Sequence, residues 1–359
     1  MRKRKKINMQ YTFGVITYNQ EKFITETLES IKYQIETFGK DENNCPIEIY
    51  LYISDDFSQD RTVFIINEWT NKNSYLFKEI KILKSTENHG TVYSYIRLLN
   101  LINTEYFKIL AGDDLFSCDD VFEGVKNNSS YYDAVAYNPL ILYSKDDSSE
   151  WLLKPDLYLL NTNLFYGNKR RNNKYDLEHQ ILGGYFNTPS FFPKRQLLNQ
   201  ECINYLNGIR LFEDDPTWHM LLKTNKSLSI RFDDKVKVLY RIHSKSISNG
   251  KTNGKGFQLF IDDWIFIVKR FIREEKNIFN KLYLFFHLID IQNSKKGINK
   301  KITFYKVFYK LRVMYIYNRT RKYHTQLYSN NLENIIKDNC DYYKRIRASS
   351  EAFLSILKL

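Results

Sequence analysis

The chain has 359 residues and a net charge of +13, with 54 Lys and Arg against 41 Asp and Glu. An aromatic content of 16% argues against a disordered protein, and no apolar run reaches the roughly 18 to 20 residues that a membrane-spanning helix needs. The four cysteines lie far apart without a CxxC pair, which indicates neither a zinc site nor a disulfide framework. We therefore expect a cytoplasmic protein with a sizeable core.

Strand-like and helix-like segments alternate along the first 110 residues. Short apolar runs predict strands at residues 11–18, 47–54, 79–85 and 106–110. The segments between them carry apolar residues at helical spacing and predict helices at residues 21–35, 58–69 and 91–102. Such alternation predicts an α/β fold with a mainly parallel sheet and helices on both faces.

The pattern becomes less regular after residue 130. Residues 133–144 are typical of one further strand, and residues 227–243 of two paired strands. Between them, an irregular region (152–176) and a loop containing Gly183 and Gly184 precede the segment FEDDPTWHMLLK, which predicts a helix with acidic residues in its first turn.

Charge and glycine content divide the chain into three parts. Residues 1–9 form a basic tail, and residues 10–250 carry the alternating pattern. The glycine-rich stretch ISNGKTNGKG indicates a linker. Beyond it, residues 251–359 contain 22 Lys and Arg against 9 Asp and Glu and predict basic, aromatic-rich helices. We therefore expect a catalytic or binding domain followed by a helical C-terminal region.

Two of the predicted strands end in the same pair of acids, Asp55-Asp56 and Asp113-Asp114. A single Asp-Asp pair after a strand is often only a turn or a helix cap. In a parallel sheet, however, both pairs would lie at the carboxyl edge, where ligands bind. Four neighbouring carboxylates repel one another unless a cation lies among them. Mg²⁺ or Mn²⁺, shared with substrate phosphates, would satisfy that need. The sequence contains no GxxxxGK[ST] loop, so it does not indicate ATP hydrolysis.

Five segments, in order, resemble the GT-A glycosyltransferases of family 2, the inverting group. They are VITYNQEKFITETLESI, ISDDFSQDRT, ENHGTVYSYIRLLNLINTEYFKILAGDD, FEDDPTWHMLL and YRIHSKSIS. The resemblance covers about residues 10–250. It implies a Rossmann-like GT-A fold and transfer of a sugar from a nucleotide diphosphate, UDP above all.

The resemblance also implies roles for individual residues at the donor site. Thr17, Tyr18 and Asn19 would border the nucleobase, and Asp56, with Asp55 behind it, would accept a hydrogen bond from the ring N–H of the base. Asp114 would bind Mn²⁺ or Mg²⁺, with Asp113 nearer the ribose or sugar. His243 matches a position that reaches the metal or the diphosphate, and the alternative is a plain histidine at a strand end. Arg241 would neutralise phosphate charge.

An inverting transfer needs a carboxylate that takes the proton from the acceptor hydroxyl. Asp214 aligns best with the family's base, because Pro216 and Trp218 follow at the usual spacing. Glu213 and Asp215 remain alternatives, and so does a simple acidic helix start.

The C-terminal region lies outside the resemblance and leaves several interpretations open. Its aromatic residues are compatible with packing inside the protein, with a dimer interface, or with contact to the anionic inner face of the cell membrane. We expect a nucleotide-sugar donor and a glycan or lipid-linked acceptor as partners, and no nucleic acid. The alternative functions are a sugar-phosphate nucleotidyltransferase and a non-catalytic basic protein that binds membrane or nucleic acid.

Overall fold

The computed structural model describes residues 9–126, 132–144, 150–155, 188–224, 228–233, 235–244, 255–295, 311, 314 and 331–358. Most of the basic tail, most of the irregular region 152–176, Gly183 and Gly184, and the greater part of the predicted linker lie outside them. In the described part of the chain, no helix is long and apolar enough to cross a membrane.

Four parallel strands form the central sheet in the order β3-β2-β1-β4. Their bounds are β1 Gln10–Thr17, β2 Glu48–Asp55, β3 Glu79–Lys84 and β4 Tyr106–Ala111. Each connection carries a helix: α1 Ile24–Phe38, α2 Thr62–Lys72 and α3 Thr91–Leu101. The predicted parallel sheet is therefore confirmed, with helices where the apolar periodicity placed them.

Helices cover both faces of this sheet because neighbouring residues of each buried strand point to opposite sides. On one face, Phe13 and Leu51 pack with apolar residues of α1 and α2. On the other face, Tyr52 and Ile109 pack with α3 and with helices from later in the chain. The result is the three-layer α/β arrangement predicted from the sequence.

Among the described residues, seven shorter strands extend the architecture beyond β4. They are β5 Leu115–Phe116, β6 Ala134–Ala136, β7 Leu140–Tyr143, β8 Leu152–Pro155, β9 Phe191–Pro193, β10 Ile230–Phe232 and β11 Val238–Ile242. One small sheet has the order β10-β6-β9 and meets β4 through a bridge between Tyr106 and Lys194. The other small sheet has the order β5-β11-β7-β8. Because β5 closely follows β4 in the chain and pairs with β11, this sheet places β11 near the end of β4. Short helices α4 Glu123–Lys126, α5 Gln200–Tyr205 and α6 Asp214–Thr224 lie between these strands.

Two strand predictions in this part of the chain are wrong. The single strand expected at residues 133–144 is split into β6 and β7, because Pro139, which has no N–H to donate, interrupts the ladder. The two paired strands expected at residues 227–243 do not pair with each other: β10 pairs with β6, and β11 pairs with β5 and β7. One apolar stretch therefore supplies strands to two different sheets.

The C-terminal region is helical in its described residues, as predicted, with α7 Lys255–Glu274, α8 Ile278–Lys295 and α9 Asn331–Ile356. Helices α7 and α8 pack into the core on the α3 side of the sheet. Helix α9 instead lies against α1, where Phe353 joins the core and the Ser349 hydroxyl donates a 2.6 Å hydrogen bond to Glu29. The last helix is therefore part of the body that holds the parallel sheet.

Candidate active site

The two Asp-Asp pairs lie at the carboxyl edge of the parallel sheet, as predicted. Asp55 ends β2 directly opposite Thr17 at the end of β1. Asp113 and Asp114 follow β4, which pairs with the other side of β1. The first strand therefore lies between the two acidic pairs, and its end forms the floor of the crevice between them.

The carboxylates of Asp55 and Asp56 bind neighbouring backbone. Asp55 accepts hydrogen bonds from the hydroxyl of Ser58 at 2.5 Å and from its N–H at 3.0 Å. Asp56 accepts from the N–H groups of His89 at 2.9 Å and Gly90 at 2.7 Å. Asp56 is only 3% exposed, and these two bonds join the end of β2 to the start of α3. Any further bond from Asp56 to a nucleobase would use a second lone pair of a carboxylate oxygen.

Gly90 permits this junction because its backbone lies in the left-handed region, with φ of +97°. A Cβ atom there would lie 2.4 Å from the carbonyl oxygen of Arg210. We predict that Gly90→Ala lowers the free energy of unfolding by at least about 2 kcal/mol, through backbone strain and this overlap. Urea denaturation of the variant and the wild type measures the difference, and an unchanged midpoint would contradict the prediction.

The first βα loop contributes polar groups that have no protein partner among the described residues. Thr17 is 1% exposed, and neither its Oγ1 nor Oε1 of Gln20 has a hydrogen-bond partner there. Both atoms lie beside Gly112, where a Cβ would come within 3.2 Å of Thr17 Oγ1 and 2.3 Å of Gln20 Oε1. Glycine at position 112 therefore permits the close approach of these two oxygens, which a larger side chain would displace.

The other two residues predicted at the nucleobase lie in the same loop. Tyr18 is 46% exposed and is free to stack against a planar ligand. The N–H of Asn19 donates a 2.8 Å hydrogen bond to Oγ of Ser58, and Oδ1 of Asn19 accepts one from the N–H of Gln59 at 2.7 Å. Asn19 therefore holds the loop against the segment after β2.

Asp113 and Asp114 have different surroundings although they are neighbours. Asp114 is 2% exposed, and its Oδ1 accepts a 2.9 Å hydrogen bond from the N–H of Arg241. Burial, and then the charge of Asp113, raise the pKa of Asp114 well above its usual range. Asp113 instead places its Oδ2 2.9 Å from Nε2 of His243, whose ring packs on Phe23. The pair at the crevice is thus Asp113 with His243.

Arg241 does not face the crevice. Its guanidinium is 1% exposed and forms an ion pair with Glu26 of α1. The ring centroids of Phe23, Trp151 and Tyr343 lie 4.6, 4.8 and 5.9 Å from its Cζ. The expected contact with phosphate is therefore not available to this side chain, and Arg241 instead anchors β11 beneath the Asp113–His243 pair.

The acidic cluster Glu213-Asp214-Asp215 lies at the start of α6, as predicted. Burial raises the pKa of Asp214, whose Oδ1 accepts the N–H of Asp215 at 3.0 Å. Burial and the charge of Asp214 raise the pKa of Glu213 to about 7, opposed in part by a hydrogen bond from Thr188. The cluster therefore holds a carboxylate that exchanges its proton near neutral pH.

Aromatic and ionic contacts fix the helix that presents these acids. Trp218 is 1% exposed, and its ring lies 3.9 Å from that of Phe191. His219 points away from the crevice and places Nε2 3.2 Å from Glu274 of α7. His219 is thus a structural contact with the C-terminal region.

Lys108 is a site residue that the sequence did not single out. It lies in the middle of β4, 2% exposed, and donates hydrogen bonds to the carbonyl oxygens of Thr188 at 2.5 Å and Phe191 at 2.9 Å. Burial lowers its pKa to about 7, while the charges of Asp114 and Glu213 raise it. A buried cation therefore lies within electrostatic reach of both acidic clusters, and its only sequence signal is a lysine inside an apolar strand.

A divalent ion fits part of this site. Within the described residues, no group of three or more His, Cys, Asp or Glu could hold a metal by itself. The carboxylate of Asp113 and the imidazole of His243 supply two ligands of types that Mn²⁺ accepts. Such ions commonly complete their shell with water and substrate phosphates, so two protein ligands suffice where a diphosphate binds.

Residues 12–194, just over half of the chain, match the family model described as Glycosyl transferase family 2. The chain belongs to this family. It is therefore a glycosyltransferase, and the crevice at the carboxyl edge of its sheet is the candidate active site. A comparison with curated proteins found no match.

Solved structures of other glycosyltransferases are similar to this family 2 member over most of its length. One is S. aureus TarS 1–349 in complex with UDP-GlcNAc, 18% identical, covering 80% of this chain and 73% of that chain with a TM-score of 0.47. Another is the mannosyltransferase PcManGT from Pyrobaculum calidifontis in complex with GDP-Man and Mn²⁺, 13% identical, covering 94% and 88% with a TM-score of 0.48. At these values, the roles of individual residues rest on the site itself.

Proposed function

We propose that this glycosyltransferase moves a sugar from a UDP-linked donor to a hydroxyl group of a growing surface glycan or lipid-linked acceptor, with inversion and with the help of Mn²⁺ or Mg²⁺. The observation that carries the proposal is that two acidic sites of different composition both lie within electrostatic reach of Lys108. Asp113 and His243 offer metal ligands on one side, and Glu213 and Asp214 offer a proton acceptor on the other.

The donor end of the proposal rests on the first βα loop and on Asp56. Tyr18 is exposed for stacking, and Thr17 has an unpaired buried hydroxyl. A carboxylate such as Asp56 favours a base with a ring N–H, which uracil and guanine have and adenine and cytosine lack. Uracil is the smaller of the two, and we assign it as the base.

The acceptor end rests on the acids of α6. As the acceptor oxygen attacks the anomeric carbon from the face opposite the diphosphate, Glu213 or Asp214 takes its proton, and the bond between the sugar and the diphosphate oxygen breaks. A carboxylate with a pKa near 7 suits this role, because it is partly ionised at neutral pH and still basic. A divalent ion held by Asp113 and His243 would neutralise charge on the departing diphosphate.

We predict that UDP with Mn²⁺ raises the melting temperature, and that a chelator removes this increase. A ligand that binds only the folded protein adds about 2.7 kcal/mol to the free energy of unfolding at 100 times its Kd. Differential scanning fluorimetry with UDP, GDP and ADP, each with and without Mn²⁺, measures the effect. A response to GDP alone would contradict the choice of base, and no response to any of them would contradict the donor site.

A screen of nucleotide sugars then identifies the product. A transferase releases UDP in the presence of Mn²⁺, faster when an acceptor is added. Consumption of UTP and a sugar phosphate, with release of pyrophosphate, would instead indicate the nucleotidyltransferase.

A further inference from the structure

Residues 188–191, which lead into β9, contact the acidic start of α6 at both of their ends. At one end, the side chain of Thr188 forms a hydrogen bond with Glu213. An ionised carboxylate can only accept, so the hydroxyl donates. At the other end, the ring centroid of Phe191 lies 3.9 Å from that of Trp218 in α6. This short segment therefore packs against both an acid and the helix that presents it.

Lys108 of β4 binds the same two ends of the segment. Its ammonium group donates hydrogen bonds to the carbonyl oxygens of Thr188 at 2.5 Å and of Phe191 at 2.9 Å. From Phe191 onward the chain is also supported by the pairing of β9 with β6. Thr188 precedes that pairing, so the bond from Lys108 fixes the residue whose hydroxyl reaches Glu213.

The charge of Lys108 has a role besides this support. Lys108 is 2% exposed, and the burial of a cation is unfavourable unless opposite charges lie near it. The charges of Asp114 and Glu213 supply that compensation. Because an uncharged amide could also donate to two carbonyl oxygens, the structural support alone does not require a lysine. The positive charge adds an electrostatic effect on the acids.

The groups around Glu213 act on its ionisation in opposite directions. Burial and then the charge of Asp214 raise the pKa of Glu213 to about 7. The hydrogen bond from Thr188 and the charge of Lys108 oppose this rise. Tyr95 of α3 also lies within electrostatic reach, but burial raises its pKa above the usual range, so its phenol is neutral at pH 7. Thr188 and Lys108 therefore favour the ionised carboxylate.

We propose that Thr188 and Lys108 are positioning residues for the proton transfer: Lys108 fixes Thr188, and the Thr188 hydroxyl holds the Glu213 carboxylate. This inference rests on the proposed function and adds the groups that prepare its acids. A carboxylate that accepts a hydroxyl hydrogen bond is both oriented and ionised, which is the form that takes a proton from the acceptor. The inference applies to either candidate base, because the neighbouring carboxyl groups of Glu213 and Asp214 titrate together.

Melting temperatures from pH 5 to pH 9 test the effect on ionisation. The stabilising contribution of Glu213, which is lost as the pH rises to about 7 in the wild type, should persist to about pH 8 in Thr188→Val. Thr188→Ser keeps the hydroxyl and should restore the wild-type curve. The difference between Thr188→Val and Thr188 should vanish when both proteins also carry Glu213→Gln.

Thr104→Val is the matched control, because it removes another buried hydroxyl beside β4. Thr104 is 6% exposed and bonds to Thr12 and to the carbonyl oxygen of Tyr106, with no acid as its partner in these bonds. Its melting temperature should fall by a similar amount at every pH from 5 to 9.

The pH profile of UDP release from a panel of UDP-linked sugars with Mn²⁺ tests the role in the reaction. The inflection near pH 7 should move to about pH 8 in Thr188→Val and return in Thr188→Ser. Lys108→Gln keeps N–H donors for the two carbonyl oxygens and loses the charge, so it should move the inflection in the same direction. Thr188→Val decides the proposal even if Lys108→Gln does not fold.

Three results would contradict different parts of this assignment. An active wild type with an unchanged inflection in Thr188→Val would overturn the inference and leave the proposed function in place. A shift of the melting curve that persists beside Glu213→Gln would also overturn it, since Thr188 would then act on another group. A wild type that releases UDP from none of the donors would instead contradict the proposed function, and with it the role of Thr188 in the reaction.

Discussion

Removing the catalytic base, by Asp214→Asn if Asp214 is the base or by Glu213→Gln if Glu213 is, is expected to lower the transfer rate by about 10³-fold while leaving the response to UDP and Mn²⁺ intact, since positioned general bases contribute about 10² to 10⁴-fold. Both acids lie at the start of α6, and burial raises the pKa of each. Neither belongs to the Asp113–His243 pair. Their loss should therefore affect the proton transfer and not the binding of the donor.

Asp215→Asn is the matched control, because the third acid of the cluster lies in the same helical turn. Its backbone N–H supports Asp214, and that bond survives the substitution. We expect a change of less than about tenfold in kcat. If Asp215→Asn alone removes transfer, the base is Asp215, and the assignment to Glu213 or Asp214 is wrong.

The pH dependence separates Glu213 from Asp214. With a pKa near 7, Glu213 loses its proton as the pH rises through neutrality. The kcat of the wild type should therefore rise between about pH 6 and pH 8. If Glu213 is the base, Glu213→Gln removes this inflection together with the activity. If Asp214 is the base, the residual rate of Glu213→Gln keeps its dependence on pH, with the inflection moved to lower pH.

The same raised pKa affects stability in a defined direction. The folded state holds the proton of Glu213 more tightly than the unfolded chain does, where the pKa is near its ordinary value of 4.5. The stabilising contribution is therefore complete below about pH 4.5 and is lost as the pH rises through about 7. In Glu213→Gln, melting temperatures measured from pH 5 to pH 8 should fall less steeply than in the wild type.

Much of the central architecture could be predicted because local sequence determines it. The parallel strands are apolar runs that are buried on both faces, and the helices between them have apolar residues at helical spacing. The acidic pairs follow the ends of those strands directly, so their place at one edge of the sheet depends only on the strands being parallel. The start of α6 was also visible from its acids and Pro216.

Residues whose surroundings come from distant parts of the chain could not be predicted. Lys108 interrupts an apolar strand, and its partners Thr188 and Phe191 lie about eighty residues later. Arg241 stands two residues before His243 and resembles a phosphate ligand. The ion pair and the aromatic rings that bury it come from both ends of the chain, including Tyr343 of α9. Such burial is a property of the packed molecule alone.

Which of Asp113 and Asp114 binds the metal ion also depends on contacts with a distant part of the chain. Sequence similarity places the metal on Asp114. In the folded chain, however, Asp114 is 2% exposed and accepts the N–H of Arg241, while Asp113 meets His243 at 2.9 Å. We therefore expect Asp113, and not Asp114, to hold the ion beside His243.

Asp113→Asn should raise the Mn²⁺ concentration needed for half of the UDP response by at least about 100-fold, since even the outer partners of a metal site contribute about 10 to 100-fold. Asp114→Asn should keep the metal response, because an amide oxygen still accepts the N–H of Arg241 and the buried site loses a charge. Titration of Mn²⁺ against melting temperature at a fixed UDP concentration measures both variants. His243→Ala should follow Asp113→Asn. If Asp114→Asn instead loses the response to Mn²⁺ and Asp113→Asn responds as the wild type does, Asp114 is the metal ligand and the assignment to Asp113 is wrong.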